Sequence, residues 1–170
     1  MNIYFKLIDK TSLNEVLELF KIAATSIQKK NLTQWSQWLN PTEKDIEWLI
    51  DGFDKNEFYY VYNDENGHIG MFRYLNTDEV YWEIQNPQAR YVHSLVVKKE
   101  FGGQNLGALI LRKIEDKILE DHCSIFRLDC NAANPYLIQF YENLGFKQVG
   151  TFHKNASSSF NLYEKNLLIK

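Results

Sequence analysis

The segment LVVKKEFGGQNLGALIL, residues 95–111, sets Gly102, Gly103, Asn105 and Gly107 between a short apolar run and an apolar repeat of helical spacing. A glycine inside regular structure costs roughly 0.5–1 kcal/mol, so a cluster at one strand-to-helix junction calls for a reason. A tight turn is one reason. The other is chemical: a helix N-terminus carries unpaired N–H groups and the positive end of its dipole, and consecutive N–H groups in such a turn form an anion-binding nest. Glycines remove the Cβ atoms that would hold a phosphate away, and Asn105 tolerates a left-handed backbone better than most residues. The stretch suits a pyrophosphate held by backbone alone. It is neither a G-x-G-x-x-G dinucleotide fingerprint nor a Walker loop, which needs G-K-[ST].

A second stretch, NAANPYLIQFYENLGF (residues 131–146), follows the next apolar run. Asn134 stands at a helix start, Tyr141 follows seven residues on, and the helix leaves through Leu144-Gly145-Phe146. Together with VVKKEFGGQNLGALIL, and with the order of elements along the whole chain, it resembles the GCN5-related N-acetyltransferase (GNAT) family. That family's phosphate loop reads Q/R-x-x-G-x-G/A. Here the corresponding positions are Gly102, Asn105 and Gly107, so glycine stands for the Gln/Arg and asparagine for the first glycine. Counted from Gln104 instead, Gly107 fits and Leu109 does not.

The resemblance implies acetyl-CoA as co-substrate, with backbone groups of Leu95, Val96 and Val97 meeting the pantetheine arm like an added strand. Gly102, Gly103, Gln104, Asn105, Leu106, Gly107 and Ala108 would cradle the pyrophosphate. Asn134 would contact the cofactor near the pantetheine, and Tyr141 would face the thioester sulfur as acid. On spacing alone Tyr141 is a core tyrosine and Asn134 a helix N-cap. His93, in the strand before the loop, titrates near neutrality and is one candidate to take a proton from the acceptor amine; Glu83 is the other. An ordinary strand or loop residue is the plain alternative for both. Trp35, Trp38 and Trp82 either line an acceptor pocket or simply pack, and packing is slightly favoured. KNASSS near Lys154 is expected to be a flexible loop at the same site, or else a solvated hairpin.

The elements that must position these residues follow from periodicity. NIYFKLI reads as a strand. Ser12 and Glu15 have the spacing of a capping box before Leu13, Val16, Leu17, Phe20, Ala23, Ala24 and Ile27, a helical stripe. NLTQWSQWLNP reads as a loop, and Thr42 with Asp45 opens a second helix through about Ile50. EFYYVYN and HIGMFRYL flank DENG as a hairpin with Gly67 in the turn. EVYWEI is a strand or an ordered loop, and YVHSLVV a strand. From Gln104 the pattern is helical through Ile118. SIFRLDCN is a strand, Asn134–Pro135 opens a helix, and Gly145 closes it. FKQVG and SFNLYEKNL, joined by TFHKNASS, are the last strands. The order β-α-α-β-β-β-α-β-α-β-β predicts a mixed α/β fold. The resemblance makes this a mostly antiparallel twisted sheet flanked by helices, as a single domain over residues 1–170.

Composition narrows the classes. With 170 residues, 45% apolar and 15% aromatic, the chain can bury a core. A net charge of −3 gives no reason to expect nucleic acid or an anionic membrane. The four histidines are scattered with no HExxH or CxxC pattern, so no metal is expected. Cys123 and Cys130 read as reduced, partly buried thiols. The N-terminus lacks the charged-then-apolar plan of a signal peptide and no apolar run spans a membrane, which predicts a cytoplasmic protein. The preferred function is direct acetyl transfer from acetyl-CoA to an amine of a small molecule or peptide through a ternary complex. The rival is a non-catalytic acyl-CoA or nucleotide-binding module. The identity of the acceptor and the oligomeric state, a homodimer included, stay open.

Overall fold

The computed structural model describes residues 2–168. Its elements are β1 (Ile3–Leu7), α1 (Leu13–Gln28), α2 (Glu43–Asp54), β2 (Phe58–Asn63), β3 (Gly67–Leu75), β4 (Ala89–Val97), α3 (Leu106–Glu120), β5 (Ile125–Asn131), α4 (Pro135–Asn143), β6 (Lys147–Asn155) and β7 (Ser158–Asn166). The order is the expected one. The strands form a seven-stranded sheet in the order β1-β2-β3-β4-β5-β7-β6. β1/β2, β2/β3, β5/β7 and β6/β7 pair antiparallel, and β4/β5 pair parallel. The fold is a mixed α/β architecture with a mostly antiparallel sheet and flanking helices.

The chain divides into two compact units. The first runs up to Arg73 and includes Ser94–Leu109. Its core forms because the stripe of α1 (Val16, Leu19, Phe20, Ala24) meets Trp38, Leu49, Phe53, Phe58, Tyr60, Met71 and Val96. Trp38 stacks on Phe20 at 4.3 Å between ring centroids and Trp35 meets the same ring edge-on, so both tryptophans pack. The expected Ser12–Glu15 capping box does not form. A 3-10 turn over Lys10–Ser12, capped by Asp9, leads the chain into α1. Glu15 is drawn elsewhere: Tyr60 Oη donates to it at 2.5 Å and His68 Nδ1 lies 3.3 Å away. The Thr42–Asp45 box does form, and α2 continues past Ile50 to Asp54. The loop 32–42 holds a 3-10 turn over Ser36–Leu39.

The second unit comprises Tyr74–His93 and the chain from Ile110 onwards. EVYWEI is an ordered loop, not a strand: the Gln85 amide bonds Asp78 N and O and Trp82 O, closing residues 78–85 on themselves. Inside this unit Trp82 is buried against Tyr91, with the Arg127 guanidinium 4.4 Å from its ring centroid. It therefore packs as well. β6 runs to Asn155, so most of the expected TFHKNASS connection is strand. Asn155 Oδ1 accepts from Ser157 N and Oγ, both at 3.0 Å, and that side-chain turn closes a tight hairpin in place of a flexible loop.

Candidate active site

In the first unit, β4 ends in Leu95–Val97, with Val96 buried and its neighbours half-buried. The pairing of β4 with β5 runs from Ala89↔Ile125 to Val92↔Leu128. Two residues on, Ser94 adopts φ 57°, a left-handed conformation inside a strand. The chain then makes a 3-10 turn over Lys99–Phe101, closed by Gly102 N–H donating to Lys99 O at 3.0 Å.

Gly103 has φ 80° and Asn105 φ 57°, and α3 starts at Leu106 rather than Gln104. Asn105 thus adopts unaided the left-handed conformation that a glycine would supply, which accounts for asparagine at that place in the loop. Its carbonyl accepts from Leu109 N–H at 3.4 Å, so Asn105 is the residue from which α3 departs. Residues 102–105 are exposed, while the side chains of Leu106 and Ala108 are buried. Nothing lies within 4 Å of where a Cβ on Gly103 would sit. An open turn at a helix N-terminus, without Cβ atoms at Gly102 and Gly103, is therefore presented to solvent, and it can hold phosphate oxygens through backbone N–H groups.

In the second unit, Asn134 N-caps α4: its Oδ1 accepts from Leu137 N–H at 3.2 Å, with Pro135 in the first turn, as the sequence predicts. Tyr141 is buried, with Phe146 and Tyr163 at 5.8 and 6.0 Å between ring centroids. Burial first, then the negative charge Cys130 would carry if ionised and that of Asp129, pushes the pKa of its phenol up, so it stays protonated at neutral pH. Cys130 is pushed up to about 12 by burial, then by Asp129 and Glu142, and is not a nucleophile at neutral pH.

His93 has partners that sequence spacing could not show. Its Nε2 lies 2.8 Å from Asp78 Oδ2 and its Nδ1 3.0 Å from Asp129 Oδ1. Burial alone would lower its pKa. The charge and close approach of Asp129, with the hydrogen bond and charge of Asp78, outweigh burial and raise it to about 10. His93 is thus an imidazolium at neutral pH, already carrying the proton that a general base would have to accept. Asp78, His93 and Asp129 have ligand-type atoms within 4.8 Å of one another. Glu83 is exposed on the loop after Asp78. Tyr81, in the same loop, lies 5.2 Å from the His93 ring and meets Phe152 and Phe160 at 4.9 and 5.4 Å. Asp78, Asp129 and this aromatic trio carry no signal in sequence, since each is a common residue brought in by pairing of distant segments.

Known proteins share this fold. The uncharacterized N-acetyltransferase YesJ of Bacillus subtilis (strain 168) is 27% identical over 145 residues, covering 83% of this chain and 77% of its own. A GNAT-family acetyltransferase structure from Listeria monocytogenes 4b F2365 superposes with a TM-score of 0.75 at 24% identity, over 97% of this chain and 95% of that one. The aminoglycoside acetyltransferase AAC(6')-Ib, solved in complex with coenzyme A, has the same fold at a TM-score of 0.71 and 17% identity, over 97% and 95% of the two chains. With residues 18–146 matched by the family model of the acetyltransferase (GNAT) family, the chain belongs to that family and is an N-acetyltransferase.

Proposed function

We propose that the protein moves an acetyl group from acetyl-CoA directly to an amine of a small molecule or peptide while both substrates are bound, as a single acetyltransferase domain. The observation that carries this reading is the exposed loop Gly102–Asn105, with two left-handed residues opening α3. The loop from Gly102 to Ala108 cradles the pyrophosphate, the backbone N–H of Gly102 itself being kept by Lys99 O. Leu95, Val96 and Val97 offer backbone groups to the pantetheine arm, and Asn134 contacts that arm. Tyr141 donates to the sulfur as the tetrahedral intermediate collapses. Proximity and a preset donor supply the rate, with no covalent enzyme intermediate. Since His93 already holds its proton, Glu83 is the remaining candidate to receive the one released by the amine. Among the described residues no helix is long and apolar enough to cross a membrane, and we place the enzyme in the cytoplasm.

Thermal melting with acetyl-CoA, CoA and ATP tests the cofactor. Ligand at 100-fold excess over Kd should stabilise by about 2.7 kcal/mol. A shift with ATP and none with either CoA species refutes the assignment. Thiol release across a panel of amines then identifies the acceptor.

A further inference from the structure

Within the second unit, Asp129 shares a sheet face with two aromatic rings. It pairs with Leu162 across β5 and β7, Phe160 lies two residues along β7 from Leu162, and Phe160 pairs with Phe152 on β6. Cross-strand partners and residues two apart along a strand share a face, so Asp129, Phe160 and Phe152 stand in one row. His93 joins the row from β4, with Nδ1 3.0 Å from Asp129 Oδ1. Tyr81, from the 78–85 loop, meets the row at three places: its ring centroid is 5.2 Å from His93, 4.9 Å from Phe152 and 5.4 Å from Phe160. Tyr81, Phe152 and Phe160 are half-buried, so part of each ring meets solvent.

The charge beside these rings is unbalanced. His93 bridges Asp129 and Asp78, whose Oδ2 lies 2.8 Å from Nε2. Two carboxylates and one imidazolium sum to −1, and to −2 with His93 neutral, so the bridge is negative either way. Among the described residues no lysine or arginine pairs with either carboxylate. Asp129 is 9% exposed, and its buried Oδ1 receives no well-directed hydrogen bond although the His93 nitrogen is close. A buried acceptor without a donor is costly, and a carboxylate this shielded from water is screened little by salt. The faces of aromatic rings attract cations through the ring quadrupole. Rings and carboxylates together favour a positive group and repel a negative one.

We propose that this face holds a second positive charge of the acceptor: the substrate is a diamine or polyamine, one ammonium of which stays on Tyr81, Phe152 and Phe160 beside Asp129 while another amine is acetylated. This rests on the reading of the protein as an enzyme that acetylates an amine. An aliphatic ammonium keeps its proton at neutral pH, as lysine does, so the remote group arrives charged. It need not touch Asp129. Lying on the rings, it gains from the field of a carboxylate that the His93 bridge holds in place.

The test is a matched set of acceptors, butylamine, butane-1,4-diamine and 4-aminobutanoate, which differ only in the group at the far end. With acetyl-CoA saturating, kcat/KM should rank the diamine first and the amino acid last. Phe152→Leu and Phe160→Leu keep an apolar side chain and remove the ring. Each should cut the preference for the diamine over butylamine by about 2–30-fold, the worth of one cation–π contact. Equal kcat/KM for the diamine and butylamine, or 4-aminobutanoate as the best of the three, overturns the proposal, and this ranking needs no variant to fold. A preference unchanged in both folded variants overturns it as well. Titration of butane-1,4-diamine into the wild-type protein without acetyl-CoA, followed by NMR of the 13C-labelled phenylalanine and tyrosine rings, separates this proposal from the reading it rests on. Shifts at Tyr81, Phe152 and Phe160 without turnover of any amine uphold the cation site and count against acetyl transfer. Turnover of the diamine without shifts at those rings leaves the acetyltransferase standing and overturns the site.

Discussion

A Cβ placed on Gly70 would lie 2.1 Å from the carbonyl oxygen of Val96. That separation is far inside van der Waals contact, and the atom it meets is backbone, which cannot swing aside. β3 and the end of β4 approach this closely because residue 70 has no side chain, and Lys98 N–H then donates to Ile69 O at 2.9 Å. Gly70→Ala should force the Leu95–Val97 segment outward. Overpacking of this kind typically costs about 1–3 kcal/mol. We expect a lower denaturation midpoint and a weaker Kd for acetyl-CoA, measured by urea melts and calorimetry. An unchanged Kd in a folded Gly70→Ala variant would detach this strand end from the pantetheine arm.

The phosphate loop can be tested by sterics. Gly103 has φ 80° and open space where a Cβ would go, so a side chain there meets no protein atom, only whatever occupies the cradle. Gly103→Val should weaken CoA strongly. The left-handed backbone adds roughly 1–2 kcal/mol of strain, visible as lost stability without ligand. Acetyl-pantetheine, which lacks the pyrophosphate, should lose far less affinity. Equal losses for the two ligands would mean the pyrophosphate sits elsewhere.

His93→Gln separates a strut from a base. Loss of a base alone would lower turnover and leave the fold intact. Loss of the imidazolium leaves Asp78 and Asp129 as uncompensated buried charges, and breaking a buried ion pair from one side costs about 3–5 kcal/mol. We expect a large drop in Tm, with much of it recovered in the double variant His93→Gln/Asp129→Asn. A His93→Gln protein with wild-type Tm would remove the bridge from the account of stability.

The same bridge fixes the sign of a pH dependence. His93 is raised from about 6.5 to about 10 in the folded state, so the folded protein binds more protons than the unfolded one between those values. Its contribution to stability is complete below pH 6.5 and is lost as the pH rises through 10. Cys130, raised to about 12, adds the same sign at higher pH. Denaturant melts from pH 6 to 10 should show falling stability, and the slope should flatten in His93→Gln. A slope unaffected by that substitution would place its origin in other groups.

Much of this architecture is legible in sequence because local rules and tertiary packing agree. The stripe of α1, the glycine loop before α3 and the Asn134–Pro135 start of α4 each carry their own signal. The failures occur where a distant partner outbids a local one. Ser12 and Glu15 have capping-box spacing, yet Tyr60, 45 residues on, takes the carboxylate of Glu15. His93 looks like a base because an isolated histidine titrates near neutrality. Asp78 and Asp129, from a loop and from β5, change that, and neither is adjacent in sequence. Trp82 looks like a pocket wall until Arg127 is found on its face. Side-chain chemistry within one turn of helix can be read from spacing, while charge state depends on who arrives across the sheet.

Tyr141 carries the last prediction. A helix rises 1.5 Å per residue, so Asn134 and Tyr141 are separated by about 10 Å along α4 and lie on one face. Asn134 is spent on capping through its Oδ1, while Tyr141 sits inward among Phe140, Phe146 and Tyr163. Burial raises the pKa of the phenol, and the nearby negative charge acts in the same direction. Two consequences follow. The hydroxyl remains protonated throughout the working range, so kcat should show no alkaline limb from Tyr141 below pH 10. A phenol this reluctant to ionise gives up its proton uphill to a thiolate, so its main contribution is a hydrogen bond that strengthens as charge builds on sulfur. Tyr141→Phe removes that donor and keeps the ring contacts. With chemistry rate-limiting, kcat should fall by roughly 10²–10⁴-fold. Tm and the Kd for acetyl-CoA should change little, because the bond matters chiefly in the transition state. Acetyl donors with a better leaving thiol, such as thioesters of lower-pKa thiols used in place of acetyl-CoA, should depend less on the hydroxyl. Full kcat in Tyr141→Phe with the best amine, under single-turnover conditions, would reduce Tyr141 to a packing residue and send the search for the donor elsewhere.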